Sequence, residues 1–323
     1  MAQQQHLTLN RTGDKMPFVG FGCWKVENEA AEETVYNAIK AGVRLIDGAG
    51  DYGNEVEVGR GINKAINEGI VKREDLFVTT KLWNTYHHKD NVRPAFEKQL
   101  KDMGLDYVDL YLIHFPVPLK HVALETAYPP GWYQPNGATE VEFERSPMQD
   151  CWREMEKIAE SGKAKNIGIS NFNVQLILDL LTYANIKPAV LQVELHPYLQ
   201  QTRLVEWVQK QGIQVTAYSS FGPASFIQLT DDGKTAEPLL GHKVITDIAA
   251  KHGKTAAQVL LRWSIERGVA VIPKSMNVER TRTNIDLFSF SLDKDDLEAI
   301  AKLELGLRFN DPFSYGFGLP LFC

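Results

Sequence analysis

Short apolar runs and amphipathic helical stretches alternate eight times along this chain without a break in composition, and that rhythm constrains its fold most. The strand-like runs fall at residues 19–23, 43–47, 76–81, 107–114, 164–170, 190–195, 214–219 and 269–273. Runs of this length between turn signals read as parallel strands buried on both faces. Helical stretches are expected at residues 29–41, 54–68, 90–103, 148–161, 174–183, 202–211, 241–251 and 255–266, with a last one at 293–302 before an irregular tail. Eight such units predict an α/β fold of the (β/α)8, or TIM, barrel type. An N-terminal β-hairpin is expected ahead of it, residues 6–9 and 18–20 flanking the turn-rich Asn10-Arg11-Thr12-Gly13-Asp14. Barrels commonly reach this size as one unit, so residues 1–323 are expected to form a single domain.

Two long segments interrupt the rhythm, residues 115–146 and 221–240. Both follow strands, so both are expected on the C-terminal face of the barrel, where such folds build their sites. The formal charge of −6 and the absence of a basic block argue against nucleic acid or an anionic membrane as partner. No run approaches the roughly 18 apolar residues of a spanning helix. Cys23, Cys151 and Cys323 have neither disulfide-framework nor zinc-type spacing, and Cys323 is too near the end for prenylation. With no signal-peptide pattern in the first residues, a reducing, cytoplasmic location is the expectation.

Three motifs compete for attention. Gly48-Ala-Gly-Asp-Tyr-Gly53 matches a dinucleotide fingerprint, but Asp51 and Glu55 stand where a pyrophosphate would sit. Tyr183 and Lys187 have the spacing of a dehydrogenase pair, but Pro188 pushes Lys187 out of helical geometry. His87-His88 and Cys23 lack partners at metal-ligand spacing, so no metal is expected and the histidines read as surface residues.

The chemistry lies elsewhere. Asp47, Lys81 and His114 close three consecutive strand runs, and Tyr52 follows the first. A carbonyl reductase needs a hydride, a proton and a group that polarises the carbonyl. Tyr52 can supply the proton, and a nearby ammonium from Lys81 is expected to lower its pKa. A shift of three units needs roughly 4 kcal/mol of differential interaction. Asp47 can keep Lys81 charged in a dry pocket, and His114 can orient the carbonyl oxygen. Each residue alone has an ordinary structural reading: an ion pair, a packed aromatic, a core histidine. Their joint arrival at one end of one sheet favours function.

The segment from Asp47 to Glu55, Gly168-Ile-Ser-Asn171-Phe and Ile272-Pro-Lys274-Ser275 resemble blocks of the aldo-keto reductase family, in the right order and over nearly the whole chain. His114-Phe-Pro, Tyr128-Pro-Pro-Gly-Trp and Leu307-Arg-Phe-Asn310-Asp-Pro are similar to its fungal xylose reductase branch. The resemblance implies an extended NAD(P)H at the barrel mouth. It assigns Ser170, Asn171 and Gln192 to the carboxamide, and Tyr218 to stacking on the nicotinamide. It gives the pyrophosphate to a strap running from Ser219 through Ser220, Phe221, Gly222 and Ser225 to Gln228, with Lys25 beside it. Lys274, Ser275, Met276 and Arg280 would meet the adenosine phosphate and Asn284 the adenine.

Relatives commonly carry Asn at the position of Met276, and dual-cofactor relatives carry a glutamate near Gln228. Loss of that carboxylate removes repulsion against a phosphate, so NADPH is the expected cofactor, with NADH possible. Trp24, Asp51, His114, Phe115, Phe221 and Asn310 are expected to meet the substrate. The activity this implies is reduction of open-chain aldoses, D-xylose to xylitol first. Reduction of L-arabinose, glyceraldehyde or a uronic acid is the nearest alternative, and a non-catalytic cofactor-binding partner protein the more distant one. A homodimer is likewise what the resemblance implies.

Overall fold

Eight parallel strands follow one another around the sheet in chain order, which excludes the strand-order switch of a dinucleotide-binding domain. The computed structural model describes residues 6–322; Cys323 and residues 1–5, on which the leader and prenylation readings rest, lie outside them. The barrel strands are β3 (Phe21–Gly22), β4 (Leu45–Asp47), β5 (Phe77–Leu82), β6 (Val108–Ile113), β7 (Ala164–Ser170), β8 (Val190–Glu194), β9 (Gln214–Tyr218) and β10 (Val269–Val271). A parallel bridge between Val19 and Val271 joins the two ends, with backbone N–H groups of Gly20 and Val271 bonded across it at 2.8 Å. Every residue of β5, β6 and β8 is buried, as runs covered on both faces must be.

The hairpin differs from expectation. Its arms are β1 (His6–Thr8) and β2 (Lys15–Pro17), so residues 18–20 are not the second arm but lead into the barrel. The reason is burial. Leu9 and Met16 flank the turn and both enter the lower core with Leu45, Phe77, Leu110, Leu112 and Ala270. The hairpin thereby closes the floor of the barrel.

The outer layer comprises α1 (Asn28–Ala41), α2 (Glu55–Asn67), α3 (Lys89–Met103), α4 (Met148–Glu160), α5 (Val174–Tyr183), α6 (Thr202–Lys210), α7 (Asp231–Thr235), α8 (Lys243–His252), α9 (Ala256–Glu266), α10 (Val278–Ile285) and α11 (Lys294–Ala301). Helices α7 and α10 were not expected. The latter has few apolar residues and is started by its cap, the Asn277 side chain accepting from the Arg280 N–H at 2.9 Å. Helix α5 ends at Tyr183, and Lys187 beyond it donates to the Gln211 carbonyl at 2.8 Å, so the Tyr183–Lys187 pair never shares a helical face. The two long connections and the tail all lie at the strands' C-terminal ends.

Candidate active site

Asp47 closes β4, Lys81 lies near the end of β5, and Tyr52 sits on the short turn between β4 and α2. The Lys81 ammonium donates to Asp47 Oδ1 at 2.5 Å, to the Gly48 carbonyl at 2.8 Å and to the Tyr52 hydroxyl at 3.2 Å. The Lys81 and Asp47 side chains are almost fully buried. Gln192 of β8 holds the second Asp47 oxygen from across the barrel, at 2.8 Å. His114 follows β6, with its ring edge-on to Tyr52 at 5.8 Å between centroids. The four residues picked from separate strands therefore converge, although they lie up to 67 residues apart, from Asp47 to His114.

Electrostatics departs from expectation at Tyr52. Burial, then the negative charges of Asp47 and Asp51, hold its phenol well above the ordinary range rather than below it. The largest cause is burial of the phenol, and the neighbouring cation, Lys81, is paired with Asp47. The phenol is thus protonated at neutral pH, the state a proton donor requires. Burial, followed by the Lys81 charge, holds His114 well below its usual pKa, so its imidazole is neutral. Burial pushes Asp51, beside Tyr52, up to about 7. Cys23 is buried and its thiol is raised by burial, which leaves it inert.

A second chain of hydrogen bonds crosses the mouth. Ser170 donates to the Gln192 carbonyl at 2.9 Å, and Asn171 Nδ2 donates to the His114 carbonyl at 2.9 Å. The Tyr218 hydroxyl donates to Asn171 Oδ1 at 2.6 Å and accepts from Asn310 Nδ2 at 2.7 Å. Asn310 also accepts from Tyr315, so its amide, expected to face a substrate, is engaged between Tyr218 and the tail. The tail is fastened by Glu194 of β8, which accepts from the N–H groups of Phe309 and Asn310 at 2.9 and 2.8 Å. Non-glycine residues with left-handed backbone, Lys25, Asn171 and Ser219, follow β3, β7 and β9 at this same face. Strain of that kind persists where surrounding structure over-determines it, and it gathers at functional sites.

Lys25 donates to the Ser225 carbonyl at 2.7 Å and spans to the strap. Its pKa is lowered by burial and then by the nearby charge of Lys274. Neither Lys274 nor Arg280 pairs with a carboxylate among the described residues. Ser220 Oγ, buried in the strap, has no partner. This donor set, cationic and unneutralised, fits an extended phosphate-bearing cofactor. Gln228 is exposed at the strap's end, Ser275 Oγ turns to the Asn277 carbonyl, and Asn284 is buried in α10. Met276 is directed away, its sulfur 3.8 Å from Thr34 Oγ1 on α1.

An aromatic wall borders the mouth. Trp83 stands edge-on to His114 at 5.3 Å and to Phe115 at 6.2 Å, and Trp132 contacts Trp83 at 5.2 Å. Trp24 packs on Phe226 at 5.6 Å, with half-buried Phe221 nearby in sequence. Sequence reasoning missed Trp83, Tyr315, Glu55 and Glu194; only the acid opening α2 left a visible signal. It also misjudged His87, which is buried; His88 caps α3. Among the described residues no group of three or more His, Cys, Asp or Glu could hold a metal, and no helix is long and apolar enough to cross a membrane.

Residues 18–305 match the model of the Aldo/keto reductase family. The chain is 62% identical over 317 residues, 98% of each chain, to the 4-dihydromethyl-trisporate dehydrogenase of Mucor mucedo. It is 56% identical over 312 residues, 96% of each chain, to the NAD(P)H-dependent D-xylose reductase I,II of Candida tropicalis. Among solved structures it resembles the aldose reductase from Schistosoma japonicum, with a TM-score of 0.85, 37% identity and 96% of both chains covered.

Proposed function

The chain belongs to the aldo/keto reductase family, and from that premise we propose that it reduces open-chain aldoses with NADPH, D-xylose to xylitol first. The observation that carries this reading is the Lys81 ammonium bonded to both Asp47 and the Tyr52 hydroxyl beneath an aromatic mouth. When bound, the nicotinamide supplies the hydride. Tyr52, held protonated, gives its proton to the carbonyl oxygen. Lys81 polarises the phenol and steadies the phenolate left behind, while Asp47 holds the Lys81 ammonium in place. Neutral His114 donates a hydrogen bond that orients the oxygen. Trp24, Phe115 and Phe221 bound the substrate, and Asp51 meets a sugar hydroxyl.

For the cofactor, Ser170, Asn171 and Gln192 address the carboxamide and Tyr218 the nicotinamide face. The strap from Ser219 to Gln228, with Lys25, takes the pyrophosphate. Lys274, Ser275 and Arg280 take the adenosine phosphate, and Asn284 the adenine. We extend the proposal to one domain over residues 1–323, a homodimer in solution and a cytoplasmic location.

A second reading comes from the 62% identical relative, named a 4-dihydromethyl-trisporate dehydrogenase, together with the aromatic wall. It makes this chain a dehydrogenase for a trisporate-type substrate, using the same groups in reverse. A panel of D-xylose, L-arabinose, glyceraldehyde, a uronic acid and a trisporate-type substrate, each with NADPH and NADH, separates the two. Highest kcat/KM with aldoses and NADPH is expected. Turnover confined to the trisporate-type substrate overturns the aldose reading, and an NADH preference overturns the cofactor assignment.

A further inference from the structure

One fully buried carboxylate takes no part in the chemistry proposed above. Glu55 opens α2 and is only 3% exposed. Its oxygens accept from Thr80 Oγ1 at 2.5 Å, from Gln99 Nε2 at 3.2 and 3.3 Å, and from the Tyr128 hydroxyl at 3.2 Å. All three donors are neutral, and no cation bonds to it among the described residues. Thr80 belongs to β5 and Gln99 to α3, so two contacts merely tie helix to barrel. The third is different, because Tyr128 lies on the long connection between β6 and α4.

That contact is built into neighbouring positions. A Cβ on Gly50 would stand 2.8 Å from the Tyr128 hydroxyl and 3.0 Å from Gln99 Nε2, so any larger residue there would have to push one of these groups aside. Lys98 of α3 lies 4.2 Å from the centre of the Tyr128 ring. Four residues on, Trp132 meets Trp83 and Phe115 edge-on and stacks on Phe317 of the tail at 5.1 Å. The Trp83 indole N–H donates to the Gly131 carbonyl at 3.4 Å. Residues 128–132 of the connection are therefore held at both ends, by Tyr128 on the barrel side and by Trp132 over the mouth.

We propose that Glu55 is a positioning residue for substrate selection: through the Tyr128 hydroxyl it docks residues 128–132 and so sets the aromatic wall that Trp132 raises beside His114. The idea rests on the reading that a carbonyl substrate enters this mouth. Its effect falls on substrates large enough to touch the wall, while a small carbonyl at Tyr52 does not feel it.

Two variants test this, Tyr128→Phe, which removes one hydroxyl, and Glu55→Gln, which keeps shape and removes charge. Amide hydrogen exchange over residues 124–134 is followed with steady-state kinetics on glyceraldehyde and on a bulky aromatic aldehyde. In Tyr128→Phe, exchange across 124–134 should quicken about tenfold. KM for the bulky aldehyde should change several-fold, while both constants for glyceraldehyde stay within twofold. Glu55→Gln should show the same kinetic split. Unchanged exchange in Tyr128→Phe overturns the latch. An equal fall in kcat for both aldehydes also overturns it, since Glu55 would then act through β5 and Lys81. The exchange measurement needs no turnover, so failure of the latch and failure of the reductase reading are distinguishable.

Discussion

The floor and the mouth of this barrel handle buried charge in opposite ways. On the floor, Asp109 of β6 faces two cations, Arg73 at 2.9 Å and Lys165 at 3.1 Å, and accepts the Val78 N–H at 2.9 Å. Both cations also lie over the Tyr107 ring. At the mouth, Asp47 and Lys81 form one deeply buried pair, while Asp51 and Glu55 have no cation bonded to them among the described residues. Asp109 on the floor is compensated by two cations, whereas Asp51 and Glu55 at the mouth are left costly to ionise. Burial at the same mouth holds Tyr52 protonated and His114 neutral.

The largest effect that would break this contrast is at the proton donor. Tyr52→Phe is expected to lower kcat by roughly 10²–10⁴-fold, the usual worth of a positioned acid. NADPH affinity, read by fluorescence titration, should hold within twofold. Retained turnover rejects Tyr52 as donor and removes the chemical reason for the mouth's arrangement. The floor should respond in the opposite sense. Asp109→Asn leaves Arg73 and Lys165 without their carboxylate and is expected to cost about 1–3 kcal/mol by urea unfolding, with kcat unchanged. A lost kcat at intact stability would mean the floor is coupled to the chemistry.

The pH dependence sharpens the same point. Burial raises Glu55 from 4.5, and Asp51 from 3.8, to about 7. Each carboxyl binds its proton more tightly in the folded chain than in the unfolded one. The stability they contribute is whole below their unfolded values, is lost as pH rises towards 7, and stays lost above it. Asp51→Asn should therefore gain stability over the parent at pH 8, by about 1 kcal/mol once its partial exposure is discounted, and not at pH 4. Equal differences at both pH values would show that Asp51 ionises as freely as in water.

These regions were unequally legible in the sequence. The strand rhythm gave eight barrel strands because parallel strands buried on both faces leave continuous apolar runs. The convergence of Asp47, Tyr52, Lys81 and His114 was readable because each sits at or just after a strand end. The second hairpin arm was misplaced because residues 18–20 are more apolar than residues 15–17, and only the docking of Met16 on the floor decides between them. Helix α10 hid because its apolar face is thin and its cap is one asparagine. The anchors Glu55–Tyr128 and Glu194–Phe309 join residues 73 and 115 positions apart, and no local pattern announces such a pair. The direction of the Tyr52 shift was misread because the sequence shows the cation but not how completely the phenol is buried beside Asp47 and Asp51.

The smallest expected effect lies where mouth becomes surface. Lys274 and Arg280 offer two unneutralised cations, whereas Met276 between them is 46% exposed and turned towards Thr34. A thioether neither donates nor accepts strongly, so residue 276 adds nothing to phosphate binding in the proposed site. Met276→Asn supplies a neutral donor. One such bond is worth about 0.5–1.5 kcal/mol net, so the NADPH-to-NADH ratio of kcat/KM should rise by roughly two- to tenfold. The rise should come from KM for NADPH, because the donor meets only the phosphate and is remote from Tyr52. An unchanged ratio would mean that the loop carrying Lys274 does not bring residue 276 to the phosphate, and the charge surplus at this corner would need a different ligand.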